Sequence, residues 1–144
     1  MYNKLTSAQN PKIKSLLHLR DKKERDQTGL FLIEGYREIR RAVDSGVRFE
    51  SLYICPELFL GSNEESLIRQ IKAPIFELPD FLFHKISYRD RPDGLVGVAY
   101  QMKTKLSDLK KKSPALYVVA EAIEKPGNLW EQSCARPMLL QPMV

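Results

Sequence analysis

Four short apolar runs limit how this chain can fold: residues 30–33 (LFLI), 51–55 (SLYIC), 75–78 (IFEL) and 95–100 (LVGVAY). Each has strand length and is bounded by turn residues. Between them lie stretches with apolar residues at helical spacing. Residues 36–45 put Tyr36, Ile39, Ala42 and Val43 on one side, and helices are also predicted over 64–72 and 79–86. Strands alternating with helices pack as layers, so the chain is read as an α/β domain. The run at 30–33 shows no polar alternation and is expected to be buried on both faces. Cys55 falls inside an apolar run and is expected to be a small core residue.

Ahead of the first run, Asn10-Pro11 combines an N-cap residue with proline at the first helical position. It predicts a basic helix over 10–27, stopped by Gly29. Ile13, Leu16 and Leu17 form its apolar face, with Lys14, His18, Lys22 and Arg25 opposite. Arg20 falls within the apolar face and must snorkel or find a carboxylate.

Charge is concentrated in the same segment. The chain carries +5, and residues 1–26 hold seven Lys/Arg against three acids, a local +4. A basic segment of this kind suits a polyanion, RNA or DNA first. Two cysteines and two histidines, none at metal-ligand spacing, exclude a zinc site. No apolar run approaches the roughly 18–20 residues of a membrane span, and residues 2–10 are too polar for a signal peptide. A cytoplasmic protein without a membrane partner is expected.

After the last run the chain becomes polar and basic, with Lys103, Lys105 and Lys110-Lys111-Lys112, and reads as a linker. A fresh apolar run, LYVVAEAI at 116–123, then feeds the loop Glu124-Lys125-Pro126-Gly127-Asn128. A strand entering such a loop is where α/β domains place ligands. Residues 1–101 are therefore expected to form one domain, 102–114 a basic linker and 115–129 the start of a second domain. Residues 130–144 form an aberrant tail.

Three stretches together resemble the SpoU/TrmH family of RNA ribose 2′-O-methyltransferases: NPKIKSLLHLRDKKERDQTGLFLIEGYREI, RPDGLVGVA and LYVVAEAIEKPGNL. The resemblance implies a ribosomal-protein-like α/β/α sandwich that binds the RNA substrate (ribosomal or transfer RNA). A knotted α/β domain follows it in the family, binding S-adenosylmethionine and usually forming a homodimer. It places Asn128 on the Asn of a catalytic motif of the form Asn-x-Gly-Ala-x-x-Arg, with Glu124 and Pro126 matching the lead into it. Trp130 stands where the motif has Gly, and its Arg is missing. A ribose hydroxyl needs its proton removed or shared and alignment with the sulfonium methyl. In the family the Arg is the proposed activator of that hydroxyl. The chain is therefore expected to be a truncated, monomeric form that binds RNA without catalysing and holds no S-adenosylmethionine. Back-translation in a shifted frame permits Gly-Ala-Ile-Leu-Arg after Leu129, so the tail is expected to be frameshifted.

The RNA contacts expected are phosphate neutralisation by Lys12, Lys14, Lys22, Lys23 and Arg25, with bidentate contacts from Arg37, Arg89 and Arg91. Tyr88 could stack on an unpaired base, whereas Tyr36 is expected in the core. Glu34 is expected to pair with Arg20 or Arg37, and Asp93-Gly94 to form a turn. A non-enzymatic module of ribosomal-protein type and a purely structural domain are the alternatives. The run at 116–128 separates the family reading from the first, because a simple RNA binder has no use for it.

Overall fold

A computed structural model describes residues 2–102. The linker, the run at 116–123, Asn128 and the tail lie outside the described residues.

Among the described residues, five strands and five α-helices, with a 3-10 turn at Pro56–Leu58, follow the alternation of the sequence: β1 (Asn3–Lys4), α1 (Pro11–His18), α2 (Lys22–Thr28), β2 (Leu30–Glu34), α3 (Tyr36–Asp44), β3 (Phe49–Ile54), α4 (Glu64–Gln70), β4 (Ile75–Glu77), α5 (Asp80–Ile86) and β5 (Leu95–Tyr100). The strands form one sheet in the order β1-β4-β3-β5-β2. β1, β4 and β3 run parallel, while β5 is antiparallel to both β3 and β2. β1 has no apolar pattern. It is held by backbone pairing to β4 and by a 3.0 Å ion pair between Lys4 and Glu77.

Each face of the sheet carries its own core. On one, Ile13, Leu16 and Leu19 meet Leu82, Phe83 and Ile86 over Tyr53, Cys55, Phe76 and Val98. On the other, Ile39 and Ala42 of α3 and Leu67 and Ile68 of α4 cover Phe49, Leu52, Ile54, Leu95 and Ala99. The fold is thus a mixed sheet with helices on both faces. Cys55 is fully buried and unpaired, and burial pushes its thiol pKa up, which suits a core residue. An irregularity in β3 between Phe49 and Ser51 resets the alternation, so Phe49 shares a face with Leu52 and Ile54.

Two expectations need correction. The run at 30–33 is not buried on both faces. β2 is an edge strand and its residues stay half-buried, although Leu30 and Leu32 pack into one core and Phe31 and Ile33 into the other. The basic helix expected over 10–27 is two helices. α1 ends at His18, the chain turns at Leu19–Asp21, and Asp21 caps α2 by accepting from Lys23 N at 3.0 Å.

Candidate nucleic-acid interface

The helix break decides where the basic side chains go. Lys14 and His18 are exposed on α1, and Lys22 and Lys23 are exposed at the start of α2. They belong to two helices, so the single stripe expected over Lys14, His18, Lys22 and Arg25 does not form. Arg25 turns back instead. Its guanidinium donates to Leu19 O at 3.0 Å and Arg20 O at 2.7 Å, satisfying carbonyls at the end of α1. Lys12 reaches over the Phe76 ring, 4.8 Å from its centroid.

The turn also swings Arg20 out of the apolar face. Its guanidinium donates to Lys85 O at 3.1 Å and Ser87 O at 3.0 Å, and lies 4.6 Å from the centroid of the Tyr88 ring. The partners expected for Glu34 are therefore not the ones found. Its carboxylate accepts from Tyr88 N at 2.8 Å and from Ser87 Oγ. The segment after α5 is thereby tied both to the α1–α2 turn and to the end of β2.

The same segment caps α3. The residue before that helix is Gly35, which has no side chain to offer. Asp93 supplies the missing acceptor, taking the Tyr36 amide at 2.8 Å. Arg89 bridges Glu38 at 3.1 Å and Asp93 at 3.6 Å. Arg89 thus holds the loop together, and its charge is largely neutralised, whereas the sequence suggested a phosphate contact. Arg37 and Arg91 are exposed, and neither has an ion pair among the described residues. Tyr36 is half-buried and packs on the α3–α4 core as expected.

Arg20, Glu34, Tyr36, Glu38, Ser87, Tyr88, Arg89 and Asp93 are thus joined by hydrogen bonds, ion pairs and a cation–π contact. Arg37 lines the cleft beside Arg89, Lys22, Lys23 and Arg91 are exposed in the adjoining sequence, and Tyr88 offers an exposed ring. Partners more than 50 residues apart explain why Arg20, Glu34 and Asp93 could not be assigned from sequence. The break itself had a signal, because Asp21 and Glu24 stand at capping-box spacing.

A cleft of about 400 Å³ opens beside Arg89, lined by Tyr36, Arg37, Leu60, Glu64, Arg89 and Asp93 among others. One oxygen each of Glu64 and Asp93 is buried without a hydrogen-bond partner. The described residues of this cleft do not suit S-adenosylmethionine: the Tyr36 amide is already taken by Asp93, and among them Leu60 and Tyr36 are the only apolar side chains in the lining to receive an adenine. A second cleft of about 340 Å³, beside α1, has no glycine among its described lining residues to let a nucleotide pass close to the backbone. No methyl-transfer step is assigned to these residues. Among them no cluster of three or more His, Cys, Asp or Glu could hold a metal ion, and no helix is long and apolar enough to cross a membrane.

Comparison with known proteins gives this surface a context. A family model described as the MRM3-like substrate binding domain matches residues 10–97. The 23S rRNA (guanosine(2553)-2′-O)-methyltransferase RlmP of Bacillus subtilis (strain 168) is 27% identical over 125 residues, covering 87% of this chain and 46% of that protein. A crystal structure of an RNA 2′-O ribose methyltransferase aligns with a TM-score of 0.71 at 36% identity, over 88% of this chain and 48% of that one. An AdoMet-bound rRNA methyltransferase from Sinorhizobium meliloti aligns with a TM-score of 0.67 at 26% identity, over 78% and 42%. The chain thus spans about half the length of the relatives it matches. With the family model covering more than half of it, the chain belongs to the MRM3-like substrate-binding-domain family and is a homologue of the SpoU-type RNA 2′-O-ribose methyltransferases.

Proposed function

We propose that residues 1–102 hold the RNA substrate of a SpoU/TrmH-type 2′-O-ribose methyltransferase, as a ribosomal-protein-like sandwich that presents basic segments to the RNA. Ribosomal RNA is preferred to transfer RNA, because the Bacillus subtilis relative is named for 23S rRNA. The observation that carries the reading is the division of labour among the cations. Arg25 and Arg89 hold the backbone and loop in place. Lys14, Lys22, Lys23, Arg37 and Arg91 stay exposed, with no ion pair among the described residues.

Methyl transfer falls outside this part of the chain. The lead Glu124-Lys125-Pro126-Gly127-Asn128 runs into Trp130 where the family motif has Gly. We therefore propose that this chain binds RNA as a monomer and, with its motif interrupted at Trp130, transfers no methyl group. S-adenosylmethionine binding and homodimerisation then belong to a chain that carries the motif intact.

A salt titration of single-stranded RNA binding tests the reading. Changing Lys14, Lys22 and Lys23 together to alanine should flatten the log–log salt slope by about two units, at roughly 0.7 per phosphate contact. Arg25→Ala should leave that slope alone and cost about 1 kcal/mol of stability, because it removes hydrogen bonds to backbone carbonyls. Wild-type affinity that does not change between 50 and 200 mM salt, a range over which phosphate contacts weaken steeply, would sink the proposal.

A further inference from the structure

Tyr88 is 57% exposed, yet almost everything around it is fixed. Its amide is held by Glu34 Oε2 at 2.8 Å. The residue before it donates its hydroxyl to the other oxygen of the same carboxylate. One side of its ring faces the Arg20 guanidinium at 4.6 Å, and that guanidinium is in turn tied to Lys85 O and Ser87 O. Arg20 has no carboxylate within ion-pair distance among the described residues, so its charge is not neutralised there. The ring joins neither core cluster. Three separate tethers hold a solvent-exposed aromatic that adds nothing to the interior.

We infer that Tyr88 is a stacking platform for an unpaired nucleobase, with Arg20 as its backing and as a nearby positive charge for the adjoining phosphate. The inference deepens the RNA-binding reading and rests on it. An aromatic held in place before binding loses little freedom when a base lands on it, and the π face of any base can stack there. The cation behind the ring adds a cation–π contact. Lys22, Lys23 and Arg91 are exposed and within three residues of Arg20 or Tyr88 in sequence, which supplies further cations for the backbone of a bound strand. The ligand is single-stranded RNA, because bases in a duplex have no free face to offer.

The test uses the full chain and a ten-nucleotide oligoadenylate. Tyr88→Ala should weaken binding by about 5- to 150-fold, the range for one base–aromatic stack, and should leave the salt slope unchanged. Tyr88→Phe and Tyr88→Trp should bind as the wild type does. An abasic ribose-phosphate chain of the same length should bind wild type and Tyr88→Ala equally. In a Trp130→Phe background, which removes the one native tryptophan, the indole of Tyr88→Trp should be quenched by oligoadenylate. Tyr88→Ala binding like the wild type overturns the inference alone, as does an equal loss on the abasic chain or an unquenched indole. A wild type that binds neither oligomer overturns the inference together with the RNA-binding reading.

Discussion

Gly94→Ala should lower the stability of the domain by about 3 kcal/mol, through a left-handed backbone and a collision that nothing can relieve. Gly94 sits at φ 80, where an L side chain is strained. A Cβ there would lie 2.4 Å from the carbonyl oxygen of Cys55 and 2.9 Å from the Phe59 ring. The carbonyl cannot move away. Cys55 N donates to Gly94 O at 2.9 Å, and the neighbouring residues Ile54 and Leu95 are paired in the sheet. Thermal unfolding should shift downward by on the order of 10–20 °C for a domain of this size. Gly46→Ala is the control. Its φ of 72 is similar and nothing lies within 4 Å of the added atom, so it should cost only the backbone strain, roughly 1 kcal/mol. Equal losses at the two glycines would show that the contact with Cys55 is not what makes Gly94 necessary.

The turn expected at Asp93-Gly94 is a bend at Gly94, and a change of chain direction there was legible in the sequence as two turn-forming residues. What it does was not. Asp93 reaches Tyr36, 57 positions away, and Gly94 approaches Cys55 across the sheet. Local pattern carries no information about such partners. The central strands were legible for the opposite reason. β3 and β5 are covered on both faces, so burial favoured apolar residues at most positions and the runs stand out, although Glu50 and the buried Ser51 interrupt the start of β3. The run at 30–33 looks the same in sequence, because β2 also feeds both cores, yet its place at the sheet edge leaves it half-exposed. Sheet order is set by pairing between distant segments, and residue type alone does not report it. β1 escaped notice because Asn3 and Lys4 contribute backbone pairing and no apolar side chain.

The surface shows the same division. Lysines and arginines were visible as charge, and the resemblance pointed to RNA. Which of them remain available could not be read, because Arg25 and Arg89 are engaged by carbonyls and carboxylates. The break between α1 and α2 governs the outcome. A continuous helix would keep Arg20 on the apolar face, whereas the turn at Leu19–Asp21 carries it to Tyr88.

Phe83→Ala should have the largest effect of any substitution considered, about 3–5 kcal/mol, a large fraction of the stability of a domain this size. The ring is fully buried and lies in the core where α5 meets α1 over the sheet. Truncation leaves a cavity within the cluster that also holds Ile13, Leu16 and Leu82, and helices packed on a sheet collapse into such a gap only in part. Urea unfolding should show a lower midpoint with an unchanged slope. Phe81→Ala, two residues away, should change stability by no more than about 0.5 kcal/mol, because that ring is 66% exposed. The two residues are chemically identical, so the contrast measures only which side of α5 faces the sheet. The reverse ranking would mean that α5 is rotated from the orientation described. Phe83→Leu should lose no more than about 1.5 kcal/mol and stay folded. It should also retain RNA affinity, because α5 packed on α1 still brings Ser87 and Tyr88 to Arg20. A folded Phe83→Leu protein that no longer binds RNA would show that the platform depends on the exact seat of α5, and not merely on α5 being docked.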